Sequence, residues 1–204
     1  MIAVIDYGIG NINSVLNMLQ RLGFPSRVAT STADIEMADR IILPGNGAFD
    51  ACMLNLKSTG LIPVLESHVL ERGKPLLGIC VGAQMLGHSS AEGVESGLGW
   101  LDMRVERFPD LPNLRIPHMG WNQVVAAQER HNLALGMSRD TRFYFVHSYY
   151  MAPKSSADVL LGAHYGIDFA AAVARDNIVG VQFHPEKSHR FGKQLLAAFA
   201  KWEC

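Results

Sequence analysis

Residues 78–82 read Gly78-Ile79-Cys80-Val81-Gly82, a thiol held between two glycines. An apolar run, Pro75–Ile79, leads into it, and a helical stretch, Ala83–Leu86, leads out. A nucleophile on a sharp strand-to-helix turn needs small neighbours, because flanking side chains would collide there. The turn lifts the sulfur above a sheet and aims backbone N–H groups and the positive helix end at it, which favours thiolate over thiol. The plain alternative is a buried cysteine in a strand that ends at a glycine. The strand–turn–helix context favours the nucleophile.

A nucleophilic thiol needs a base, and the base needs an orienting group. Val181-Gln182-Phe183-His184-Pro185-Glu186 offers both. If the strand candidate Ile178–His184 continues extended, His184 and Glu186 project to one side, being two residues apart. Glu186 then holds one ring nitrogen while the other faces the nucleophile. Pro185 restricts His184 to extended geometry. The competing reading is a strand-end histidine beside a solvated glutamate. The remaining histidines show no ligand spacing such as HExxH, so no metal is expected, and no G-x-x-x-x-G-K-[ST] or G-x-G-x-x-G run implies another cofactor.

Thiol attack on a carbonyl puts negative charge on oxygen. Preorganised N–H donors are each worth roughly 3 kcal/mol of barrier. Val81 N–H follows the nucleophile and is the first candidate. The second is the loop Pro44-Gly45-Asn46-Gly47, which follows a strand candidate and whose glycines permit close approach; Asn46 is taken as its donor. Taken alone, this loop reads more readily as an ordinary turn.

These groups need a frame. Ile2–Asp6, Ser26–Ala29, Arg40–Leu43 and Pro75–Ile79 read as strands. Ile12–Leu22 and Leu61–Arg72 between them read as helices stopped by Gly23 and Gly73. That alternation predicts βαβ units and a mostly parallel sheet. Residues 100–108 alternate apolar and polar, as an edge strand does. Trp121–Val125, Arg142–His147, Val159–Ala163, Phe169–Ala174 and Ile178–His184 are further strands, and Gly192–Trp202 closes as a helix. The expected fold is α/β with an added antiparallel portion, in one domain spanning 1–204.

The 204 residues carry 18 basic and 19 acidic side chains, with no basic stripe of the kind that binds nucleic acid. The N-terminus lacks a basic leader and no apolar run is long enough to span a bilayer, so a cytoplasmic protein is expected. Cys52, Cys80 and Cys204 form neither CxxC pairs nor an even set, which predicts reduced thiols, with Cys52 near the core and Cys204 on the tail.

Taken together, the motifs resemble the class I, triad-type glutamine amidotransferases, and more narrowly their HisH-type glutaminase subunits. The likeness runs nearly end to end: IDYGIGNINSV at 5–15, LPGNGAF at 43–49, GICVGAQML at 78–86, GLGW at 97–100, PHMGWNQV at 117–124, FVHSYY at 145–150 and GVQFHPEKS at 180–188. The resemblance implies a flavodoxin-like core and a Cys80–His184–Glu186 triad that hydrolyses glutamine through a thioester. It implies glutamine contacts at Gly47, Gln84, Glu92, His147, Ser148 and Tyr149. It also implies a HisF-type (β/α)8-barrel partner that receives the ammonia, with Asn11, Trp121, Asn122, Tyr144 and Lys187 at or near that interface. Trp121 reads equally well as a core residue of a half-buried strand.

The chain departs from the family in two places. HisH-type proteins commonly carry Val where this chain has Asn46, in a loop that must reorient to serve the oxyanion. Asn tolerates positive φ better than a β-branched residue, which predicts a cheaper active loop and more partner-free activity. The segments EGVESGLGWLDMRVERF and SHRFGKQLLAAFA look closer to paralogues that supply ammonia for amidation of a surface-polysaccharide sugar. The leading expectation is an imidazole glycerol phosphate synthase glutaminase that feeds histidine biosynthesis, with such a sugar as the alternative acceptor. A cysteine peptidase and a catalytically silent subunit are the other readings. Gln84 with VHSYY argues against the first, and the intact triad against the second.

Overall fold

The computed structural model describes residues 1–112, 114–128 and 131–203; Cys204 lies outside them. Strands and helices alternate first: β1 (Ile2–Ile5), α1 (Ile12–Arg21), β2 (Ser26–Ala29), α2 (Thr32–Glu36), β3 (Arg40–Gly45), α3 (Phe49–Ser58) and α4 (Ile62–Glu66). After a π-helical turn at Ser67–Glu71 come β4 (Leu76–Cys80) and α5 (Val81–Gln84). Strands then dominate: β5 (Met103–Arg107), β6 (His118–Gln123), β7 (Val125–Ala126), β8 (Arg142–His147), β9 (Tyr149–Pro153), β10 (Val159–Tyr165), β11 (Ile167–Arg175) and β12 (Ile178–Val181). The helix α6 (His189–Lys201) closes the chain.

One sheet has the order β2-β1-β3-β4-β12-β11-β10-β7, and β9 joins it through β11 and carries β5. The first five strands are parallel, and β11 turns the sheet antiparallel. This is the expected α/β fold with its antiparallel addition. β6 and β8 stand apart as a two-stranded ribbon.

Parallel strands β1, β4 and β12 are apolar throughout because both their faces are covered, and every residue in them is buried. Helix α1 buries Val15, Leu16 and Leu19 as one stripe, and Gly23 takes φ +79° just beyond its end. Fully burying each such side chain contributes about 2 kcal/mol. Cys52 is buried in α3.

Several expectations needed correction. β3 runs through Pro44 to Gly45, because Gly45 still pairs with Cys80 on β4. The 61–72 helix is α only to Glu66 before it becomes a π turn. β12 stops at Val181, and Pro185–Lys187 is a 3-10 turn, so His184 and Glu186 do not lie on an extended strand. Finally, α2, α3 and β9 went unread in the sequence.

Candidate active site

Cys80 ends β4 and opens α5 with φ 54° and ψ −114°. A non-glycine residue with positive φ and such a ψ is strained by about 1–3 kcal/mol, and surrounding structure must hold it there. The holding is steric. A Cβ on Gly78 would lie 2.7 Å from the Ala83 Cα, and one on Gly82 would lie 2.0 Å from the Leu43 carbonyl oxygen. A Cβ on Gly45 would lie 2.4 Å from the Gly82 nitrogen. The strand ends and the turn therefore pack backbone on backbone, and the three glycines are what permits it.

β4 and β12 are parallel neighbours, so the chain leaving β12 passes beside Cys80. His184 lies three residues past that strand end, extended before Pro185. Its Nδ1 is 2.8 Å from Glu186 Oε1, and both side chains are almost wholly buried. The 3-10 turn thus closes the pair that an extended strand was expected to make. Burial alone would drive the ring toward neutrality. Interaction with the neighbouring Cys80 and Glu186 outweighs it and holds the His184 imidazole up to about 9. Burial likewise opposes the Glu186 charge, but His184 and Asn11 keep this carboxyl below its usual range.

Two helix N-caps are spent on this pair. Asn11 occupies the N-cap position of α1 without capping it; its amide donates to Glu186 Oε1 at 2.9 Å. Ser188 stands at the N-cap of α6, also without capping. Its hydroxyl donates to the His184 carbonyl at 2.6 Å and accepts from Tyr144 N–H at 2.9 Å. An unused cap forgoes about 1 kcal/mol of helix stability. Local rules broken in this way mark a functional site.

Cys80 and His184 open onto a cavity of about 390 Å³. Its walls also hold Asn46, Gly47 and Val81 from the two turns, Gln84 and Glu92, and His147, Ser148 and Tyr149. Each residue expected to form the oxyanion hole or contact glutamine therefore lines this one space. Pro117, Val146 and Lys187 complete it. Glu92 has a second task, since its Oε2 accepts from Phe49 N–H at 2.9 Å at the start of α3. Asn46 takes no positive φ, whereas Gly47 does at 121°. Instead the Asn46 amide donates to Asn11 Oδ1 at 3.1 Å.

The residues expected at a partner interface fall in two groups. Asn11 and Lys187 sit near Glu186 and His184, Asn11 bonded to Glu186 and Lys187 exposed on the cavity wall. Tyr144, Trp121 and Asn122 lie on the β8–β6 ribbon. Trp121 is 45% exposed and stacks on His189, so it is not a core residue. Met119 is exposed on the same face.

Three contributors escaped the sequence reading. Gln182, fully buried, points its amide at the Cys80 sulfur from 3.9 Å. Asp50 accepts from Val94 and Glu95 N–H and so anchors the segment that carries Glu92. Ser188 is the third. A buried glutamine two residues before His184 was the available signal for Gln182; the other two required the fold. Among the described residues, no three His, Cys, Asp or Glu side chains are placed to hold a metal ion.

Comparison with known proteins agrees with this architecture. The family model described as "Glutamine amidotransferase class-I" matches residues 3–202. The imidazole glycerol phosphate synthase subunit HisH 2 of Pseudomonas aeruginosa is 55% identical over 201 residues, covering 98% of this chain and 99% of that protein. Subunit HisH of Bdellovibrio bacteriovorus is 47% identical, with coverage of 98% and 100%. Among solved structures, PurLQS from Thermotoga maritima superposes with a TM-score of 0.71 at 16% identity, covering 97% of this chain and 96% of that one, which speaks to fold alone.

Proposed function

We propose a channelled glutaminase, and the premise is plain: the chain belongs to the class-I glutamine amidotransferase family. As a glutamine amidotransferase of HisH type it is an enzyme that draws nitrogen from the glutamine side chain. The finer reading is that Cys80, His184 and Glu186 form its triad. The observation that carries this is the single cavity that joins Cys80 and His184, with Glu186 bonded behind the ring.

In this mechanism His184 takes the Cys80 proton and the sulfur attacks the side-chain amide carbon of glutamine. A C–S bond forms, and the carbonyl oxygen takes the negative charge. Backbone N–H groups at Val81 and in the Asn46 loop receive that charge. The intermediate collapses as His184 returns the proton to the departing nitrogen, which leaves as ammonia. Water, deprotonated by His184, then cleaves the glutamyl thioester and releases glutamate. Glu186 orients the ring and stabilises its charged form. Gly47, Gln84, Glu92, His147, Ser148 and Tyr149 hold the substrate. The cavity volume falls in the range that takes small metabolites.

The ammonia passes to a HisF-type (β/α)8-barrel docked over Asn11, Lys187, Tyr144, Trp121 and Asn122. Both relatives named above are subunits of imidazole glycerol phosphate synthase, which supports a histidine-pathway acceptor and a cytoplasmic heterodimer. No helix of the described residues is long and apolar enough to cross a membrane.

Ammonia release from glutamine, measured for the chain alone and with a barrel partner and its substrate, tests the reading. Stimulation by the partner and loss in Cys80→Ser are expected. Undiminished release by Cys80→Ser would remove the triad assignment.

A further inference from the structure

Two buried histidines face each other across the β6–β8 ribbon, outside the triad. His118 pairs in register with His147, and His118 Nδ1 lies 2.8 Å from His147 Nε2. His147 Nδ1 is 2.8 Å from the Tyr149 carbonyl oxygen, and His118 Nε2 is 3.2 Å from the Asn122 amide nitrogen. The chemistry fixes every hydrogen. A carbonyl only accepts, so His147 carries its proton on Nδ1. Its bare Nε2 must then accept from His118 Nδ1, and the bare Nε2 of His118 accepts from Asn122. An extra proton on either ring would set two N–H groups against each other.

The surroundings enforce neutrality. His118 stacks on Tyr165 with ring centroids 4.0 Å apart and on Phe145 at 4.8 Å, while Phe108 and Phe169 meet it edge-on. Burial pushes His118 down to about 4 and His147 down to about 3. Apolar side chains would fill such a cage without the desolvation cost that polar groups carry. The pair must therefore gain something other than packing.

That gain lies at the Tyr149 carbonyl. Here the chain leaves the ribbon at His147 and enters the main sheet at Tyr149. The same oxygen accepts from Gln84 Nε2 at 3.1 Å, and that nitrogen also donates to Gln182 Oε1 at 3.1 Å. Both Nε2 hydrogens of Gln84 are thus committed, so its Oε1 is the polar atom left for a ligand in the cavity that Gln84 lines. A flipped amide would set oxygen against the Tyr149 oxygen and is excluded.

We propose that His118 is a positioning residue for glutamine recognition: through His147 it pins the Tyr149 carbonyl, which orients Gln84 to present Oε1 to an N–H donor of the substrate. This rests on the glutaminase reading above. His118 touches no substrate; it acts by holding His147 in one tautomer at the point where the backbone changes sheets.

Steady-state glutaminase kinetics of the complex with the barrel partner test it. In His118→Phe, which keeps the aromatic stack and removes both nitrogens, KM for glutamine should rise about tenfold while kcat changes less than about threefold. In His118→Asn, whose amide nitrogen can stand in for the Nδ1 donor, KM should return to within about threefold of the native value. An unchanged KM in His118→Phe overturns the proposal. Nitrogen-15 NMR of histidine-labelled native chain decides independently of any variant's folding. Both rings should be neutral Nδ1–H tautomers at neutral pH, and a charged or Nε2–H form of either overturns the proposal. If the native complex released no ammonia, the glutaminase reading would fail, while the tautomers would still test the wire itself.

Discussion

His184 Nδ1 and Glu186 Oε1 lie 2.8 Å apart with both side chains nearly sealed from water, and the carboxylate oxygen that meets the ring also accepts from Asn11. Glu186→Gln keeps the shape and removes the charge. It should lower kcat for glutamine by about a hundredfold or more, because the ring loses both its orienter and its counter-charge. The fold should persist, as circular dichroism would show; loss of soluble protein would make Glu186 structural instead. The pair also has a stability window. His184 is raised, so its contribution is full below the ordinary 6.5 and is lost as pH rises through about 9. Glu186 is lowered, so its contribution is present above 4.5 and lost as pH falls. The stability difference between native and Glu186→Gln should therefore shrink at both ends, as denaturant melts across pH would show.

The buried histidine pair gives a separate acid signature. His118 and His147 are held neutral, whereas the unfolded chain protonates both near 6.5. Stability is full above that pH and falls as pH drops below it, by up to about 1.4 kcal/mol per pH unit for each histidine. Between pH 6 and 4.5, His118→Phe should flatten the slope by about one proton. Urea titrations at several pH values measure this; an unchanged slope rules it out.

Cys80 holds a backbone conformation that favours glycine. Cys80→Gly should abolish ammonia release yet raise unfolding stability by about 1 kcal/mol, since the strain disappears. A stability loss of similar size would place the strain elsewhere.

Gly82 is the tightest contact in the elbow, with its hypothetical Cβ 2.0 Å from a main-chain oxygen. Gly82→Ala should cost about 3 kcal/mol or more of stability, or leave little folded protein, because backbone rather than a flexible side chain must yield. A variant with native melting behaviour would mean the turn can open.

Asn46 reaches Asn11, and Asn11 reaches Glu186, so the proposed oxyanion loop and the proposed triad share a hydrogen-bonded link. Asn46→Val removes that link and the easier access to positive φ. Partner-free glutaminase activity should fall about fivefold. An equal basal rate would end the idea that this residue eases the loop.

The parallel half of the fold was legible because strands buried on both faces are written as unbroken apolar runs, as in Leu76–Cys80. Helix α3 could have been read: Phe49, Cys52, Met53 and Leu56 follow helical spacing and are all buried. Strand β9 was hidden because Tyr149 follows His147 after a single residue, and nothing local says that the chain changes sheets there. The triad candidates were visible because their spacing is local chemistry. Ser188, Asp50 and His118 were not, because their roles depend on what the fold brings within 3 Å of them.

The β6–β8 ribbon meets the main sheet beside the Cys80 cavity and carries Trp121 and Met119 outward on its other side. The ribbon therefore runs from the outer surface to the cavity wall at Val146 and His147. It is also tied to the proposed base: the Tyr144 carbonyl accepts from His184 N–H, and Tyr144 N–H donates to the Ser188 hydroxyl. A protein seated on Trp121 and Met119 would press on two strands that reach both the cavity wall and the His184 turn, while β4, which carries Cys80, lies in the other sheet.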